Sequence, residues 1–206
     1  MRRETQLILV ARIMSALFNP FYLPIVGLMA LFLFSYMSIF PLSYKLQVLC
    51  IVYLFTILLP TALIRLYQHW QGWNLIELGH RERRIIPYVI AILCYFACYY
   101  IMERIHMPHF MGSIVVAALL VQVTCAMINV WWKISTHTAA IGGMGGALFA
   151  FAEYLGFNPV WWLAIIFLVA GGVGTSRMIL RQHSLSQVIG GFWTGFLVAA
   201  LAILFL

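Results

Sequence analysis

Thr138–Tyr154, TAAIGGMGGALFAFAEY, and Val160–Gly174, VWWLAIIFLVAGGVG, are two apolar runs parted by a short break at 155–159. Each is long enough for a buried helix, so the pair reads as one helix out and one helix back. Both runs are flanked by polar residues at the same end of the hairpin. Lys133-Ile134-Ser135-Thr136-His137 precedes the first, and Ser176-Arg177, then His183, follows the second. A hydrocarbon phase tolerates few cations and imidazoles, so such groups at helix ends mark a candidate functional site. The hairpin returns both to one membrane face.

Working outward, the whole chain has the same character. Of 206 residues, 65% are hydrophobic and 8% charged, against about a quarter charged in soluble domains. A soluble fold is excluded. Runs of roughly 20 apolar residues read as spans over Leu17–Phe40, Leu46–Leu66, Ile85–Met102, Phe110–Trp132, Thr138–Tyr154, Val160–Gly174 with a polar extension to Gln182, and Val188–Leu206. The runs are continuous rather than alternating, which favours helices over a barrel. The expectation is an all-α, polytopic transmembrane bundle of six to seven spans, a single integral membrane domain over 1–206. Leu7–Phe18, beside Asn19-Pro20 and Pro24, reads either as a short interfacial helix or as an early start to the first span. The first apolar run continues far past a signal core and shows no clear small-residue cleavage site, so no cleaved leader is expected.

Cys50, Cys94, Cys98 and Cys125 all fall within spans, which supports no disulfide framework. Cys94 and Cys98 share a helical face without convergent His or carboxylate partners and read as packing residues. Gly142 and Gly146, and Gly191 and Gly195, match the G-x-x-x-G spacing that lets helices approach closely in lipid. Trp131, Trp132, Trp161 and Trp162 read as interfacial anchors.

The formal charge is +7. In a soluble protein it would suggest nucleic acid, but here the cations crowd at span ends, so no nucleic-acid partner is expected. With seven spans, Arg2, Arg3, Arg12, Arg65, Arg81, Arg83, Arg84, Lys133, Arg177 and Arg181 share a face and Lys45 and Arg104 lie opposite. The positive-inside rule makes the crowded face cytoplasmic. Setting aside the six cations that can serve a phosphate site leaves four against two, so the membrane face of the site stays open.

Gly79-His80-Arg81-Glu82-Arg83-Arg84-Ile85-Ile86-Pro87 precedes the third span and reaches the same basic face. Three segments thus converge there. Guanidinium groups bind phosphate oxygens in a planar fork, and imidazoles near neutral pH serve as base, acid or nucleophile. The inventory suits an anionic phosphate substrate. It holds no clustered carboxylates, which disfavours a two-metal phosphatase.

Ser176-Arg177-Met178-Ile179-Leu180-Arg181-Gln182-His183 resembles the S-R-x5-H motif of the type 2 phosphatidic acid phosphatases, membrane lipid phosphatases related in fold to vanadium haloperoxidases. Lys133-Ile134-Ser135-Thr136-His137 stands where that family has P-S-G-H, and Arg81–Pro87 resembles a loosened first motif. The resemblance covers roughly residues 81–195. It implies a metal-independent phosphatase, without cofactor, acting on a phosphorylated lipid among membrane lipids, with the bacterial inner membrane as the expected location. By that resemblance His183 is the nucleophile that forms a phosphohistidine, and His137 protonates the leaving oxygen and then activates water. Arg177, with Arg84 as first choice in the first segment, neutralises the equatorial oxygens. Arg81, Lys133, Ser135 and Ser176 complete the phosphate-binding set.

Gln187 departs from the pattern, standing where the family has Asp. A carboxylate there would fix the imidazole tautomer and stabilise the imidazolium; an amide oxygen accepts the ring N–H without bringing charge. Ser184-Leu185-Ser186-Gln187 also fits a capping box at a helix start, which gives Gln187 a purely structural alternative. Ile134 and Thr136 replace the motif's Pro and Gly. Two further readings remain open: a phosphotransferase using the same chemistry, and a binder or transporter of phosphorylated lipids without turnover.

Overall fold

Backbone groups in hydrocarbon must be satisfied within their own segment, and these apolar runs do so as helices. The computed structural model describes residues 2–34, 36–72 and 85–205. Among the described residues nine α-helices follow one another: α1 (Arg2–Leu17), α2 (Leu23–Phe34), α3 (Leu42–Tyr53), α4 (Leu59–Gln71), α5 (Ile85–Arg104), α6 (His109–Trp131), α7 (Thr136–Leu155), α8 (Val160–Ile179) and α9 (Leu185–Phe205). Among the described residues six segments are long and apolar enough to cross a membrane: Glu4–Leu33, Leu42–Gln71, α5, α6, α8 and α9. α7 is a seventh helix of matching length, at 20 residues. It is less apolar because four glycines and a polar first turn take the place of large side chains. The expected all-α, multi-pass architecture stands.

The first expected span needs correcting. Leu17–Phe40 is not one helix: α1 ends at Leu17, a 3-10 turn occupies Pro20–Tyr22, α2 is Leu23–Phe34, and a second 3-10 turn covers Tyr36–Ile39. The apolar segment instead begins at Glu4 and runs to Leu33. Asn19 causes the break by accepting a hydrogen bond from Phe21 N–H through its side chain. Pro20 and Pro24 add to it by lacking N–H donors. Leu7–Phe18 is therefore the first leg of a bent span, and it packs on α8: Met14 faces Gly172, and Ser15 meets Arg177. In the second segment Pro60 likewise has no N–H to give, and the ladder widens to a π-turn over Leu54–Leu58 between α3 and α4.

One core joins α2, α3, α5, α6 and α9 through Leu28, Phe32, Val52, Cys98, Met111, Val115 and Ile203, all nearly or wholly buried. A smaller one, with Leu23, Ile141, Ile166, Val173 and Phe192, lies between α2, α7, α8 and α9. α7 and α9 run parallel and touch backbone to backbone. A Cβ added at Gly142 would overlap the Phe192 carbonyl, one at Gly146 the Phe196 carbonyl, and one at Gly195 the Ala139 carbonyl. Only glycine permits that approach. The tryptophans expected as anchors cap helix ends, Trp131 and Trp161 being almost fully exposed.

Candidate active site

Three helix ends meet at one end of the bundle. α7 begins at Thr136 with Ser135 as its N-cap, the Ser135 hydroxyl accepting from Thr138 N–H at 3.5 Å. α9 begins at Leu185, and the Ser135 N–H donates to the Gln187 carbonyl at 3.3 Å, which ties the two starts together. A Cβ at Gly191 would come within 2.6 Å of the Ser135 carbonyl and the Thr138 hydroxyl, so this join too requires glycine. α8 arrives from the other direction and closes with a left-handed residue: Arg181, at φ 53°, lets Arg181 N–H reach the Met178 carbonyl and Gln182 N–H the Arg177 carbonyl. That is a Schellman stop, usually built on glycine. It reverses the chain within two residues and delivers His183 to the start of α9.

His183 is buried, and its Nδ1 lies 3.1 Å from the Gln187 side-chain oxygen. The same oxygen accepts from Ser184 N–H at 3.2 Å. The backbone donor fixes which end of the amide faces the ring, because an amide NH2 cannot accept from N–H. Nδ1 must then carry the proton, and Nε2 keeps its lone pair. The capping and tautomer-fixing readings of Gln187 are thus compatible, since one oxygen does both.

Arg177 lies in the last turn of α8, buried, and its Nη1 donates to the Ser15 hydroxyl at 2.7 Å. Ser15, also buried, was missed by sequence reasoning: a lone serine in an apolar stretch, 162 residues away, carries no signal. His137 sits in the first turn of α7, half-buried, and Lys133 is half-buried just before it. Ser176 is buried and its hydroxyl donates to the Gly172 carbonyl at 2.8 Å within α8, so its proton serves the helix. Ser135 is fully buried as the cap. Arg81 and Arg84 lie outside the described residues.

The electrostatics suit an anion. α7 and α9 both direct N-terminal backbone dipoles at this end, beside the Arg177 cation and Lys133. His137, in the first turn of α7, and His183, just before α9, lie at this end of the bundle, each near a backbone-to-backbone contact of α7 and α9. No curated protein and no solved structure matches this chain. The PAP2 superfamily matches residues 88–206, which hold α6 to α9 and most of α5. More than half of the chain is matched, and the match includes His137, Arg177 and His183: the chain belongs to the PAP2 superfamily, a family of phosphatases.

Proposed function

We propose that the protein is a membrane-embedded, metal-independent phosphatase of lipid phosphates or diphosphates, acting through a phosphohistidine at His183. The observation that carries the reading is the Gln187 oxygen held by Ser184 N–H against His183 Nδ1. It leaves Nε2 as the nucleophilic atom before substrate arrives. Nε2 attacks phosphorus as the bond to the lipid oxygen breaks, and His137 gives that oxygen its proton, since a poor alkoxide leaves badly without one. His137, now neutral, takes a proton from water; the hydroxide attacks phosphorus, and the P–N bond breaks to return His183 with its lone pair. Splitting displacement into two steps is what covalent catalysis supplies. Arg177 and Lys133 offset charge on the moving group, which is the main demand of phosphoryl transfer. Ser135 and the first turns of α7 and α9 set the frame. The apolar surroundings favour a lipid-borne phosphate.

Phosphate release by purified protein from a panel of lipid phosphates, with chelator present, tests this for wild type, His183→Ala and Gln187→Asp. Release that survives chelator and vanishes in His183→Ala is expected. Equal release by His183→Ala would overturn the nucleophile. Release only with Asp at 187 would mark a chain that binds its lipid without turnover.

A further inference from the structure

A partly open apolar cavity of about 650 Å³ runs beside α7, between α2, α6 and α8. It begins at Thr136, next to His137, and continues along one face of α7 to Leu155. Nineteen helical steps separate those ends, about 28 Å, close to the thickness of a bilayer's hydrocarbon core. That length suits an extended acyl chain lying along α7. The walls are almost wholly apolar, with two polar exceptions midway along: Gln122 of α6 and Tyr95 of α5.

The Tyr95 side chain is costly where it stands. Tyr95 is 1% exposed and its hydroxyl has no hydrogen-bond partner among the described residues. Gln122 is 9% exposed, lines the same cavity, and makes no hydrogen bond with any other described residue. A buried amide or hydroxyl left unpaired costs about 1–3 kcal/mol, and a pure hydrocarbon tail would leave both unpaired. Their common capacity is donation: an amide NH2 and a phenol O–H, which an acyl carbonyl with its two lone pairs can accept together. Depth agrees. A Cβ at Gly143 would lie 3.5 Å from Val121 Cγ2, so Gln122 is level with a point about 10 Å along α7 from Thr136. The carbonyl at a glycerol linkage lies six bonds from phosphorus, about 7 Å in an extended chain. The Gln122 side chain is long enough to span the difference.

We infer that this cavity receives one acyl chain of the phosphorylated lipid and that Gln122, backed by Tyr95, hydrogen-bonds its ester or amide carbonyl, so that the site selects acyl-linked lipid phosphates over isoprenoid and ether-linked ones. The inference rests on the phosphatase reading for the headgroup's place. Its test is independent of turnover. Binding of a diacyl glycerol phosphonate, which cannot be hydrolysed, is compared with that of its dialkyl ether counterpart by calorimetry in detergent. Wild type, Gln122→Met and Tyr95→Phe are used, with melting temperatures confirming that each is folded. Wild type should bind the ester analogue about tenfold more tightly, Gln122→Met should bind both alike at the ether value, and Tyr95→Phe should fall between. Equal binding of ester and ether by wild type, or an ester preference that survives Gln122→Met, overturns the inference. Gln122→Leu, which also removes the amide at similar volume, replaces Gln122→Met with the same expected result if the latter does not fold. Failure of the phosphatase reading shows separately, as absent phosphate release by wild type from the acyl phosphate.

Discussion

Replacing Gly195 by Ala tests whether the α7–α9 contact sets the geometry of the two histidines. The new Cβ would overlap the Ala139 carbonyl oxygen and come within 2.6 Å of its carbon and 2.9 Å of the Ala139 Cα. Contacting carbons sit about 3.5–4.0 Å apart, so the helices must part by about 1 Å. A backbone obstacle cannot rotate out of the way, which places the cost near the top of the overpacking range, about 3 kcal/mol. The gain in helix propensity from Gly to Ala returns about 1 kcal/mol, leaving a net loss near 2 kcal/mol. Ala139 lies two residues from His137, and a 1 Å misplacement of catalytic groups costs on the order of 100-fold in rate. Gly171 is the control, because a Cβ there meets nothing within 4 Å. Melting in detergent and initial rates of phosphate release should show Gly171→Ala at or slightly above wild type in stability and equal in rate. Gly195→Ala should melt lower and turn over about 100-fold more slowly. A Gly195→Ala protein with wild-type rates would refute the claim that this contact positions the site.

Ser15→Ala removes the acceptor from a buried guanidinium; hydrogen bonds to charged groups are worth about 1.5–3 kcal/mol, so KM should rise about tenfold or more while kcat changes little, and Ser15→Thr should restore it. Gln187→Glu keeps the reach to Ser184 N–H and places a carboxylate beside His183 Nδ1; the opposite charge favours imidazolium and raises the His183 pKa. Since attack needs the neutral ring, the acidic limb of the kcat/KM profile should move to higher pH, which a pH–rate series reads directly. Arg181→Gly relieves a left-handed residue whose side chain is exposed; about 1 kcal/mol is expected, raising the melting temperature by about 2–4 °C.

Continuous apolar runs made the helices legible, because span length and composition are dictated by the hydrocarbon phase. The bend at Asn19-Pro20 was half-legible: the residues that break the helix stand in the sequence, but α1's packing on α8 depends on Met14 meeting Gly172, which no periodicity encodes. α7 announced itself through its polar flanks despite its weak hydropathy. Spacing and a hairpin were enough to bring His137, Arg177 and His183 to one end, since helices of matched length must return there. The double duty of the Gln187 oxygen was not legible. A sequence offers capping and contact with the imidazole as rival readings, and only coordinates show one atom making both contacts. Ser15 was beyond reach for the same reason: its partner is distant in the chain and its neighbours are apolar.

The bent first span has a consequence for how kinship is used to assign substrates. Residues 88–206 hold the family's shared pattern, yet the acceptor of Arg177 and one wall of the cavity, from Pro20 to Leu31, come from outside that region. On the proposed reading the reaction is inherited with the matched part, while the choice of molecule is written partly in the part that the shared pattern does not reach. Two members alike from α5 onward can therefore part company in what they accept, and swapping their first spans should exchange appetite without exchanging chemistry.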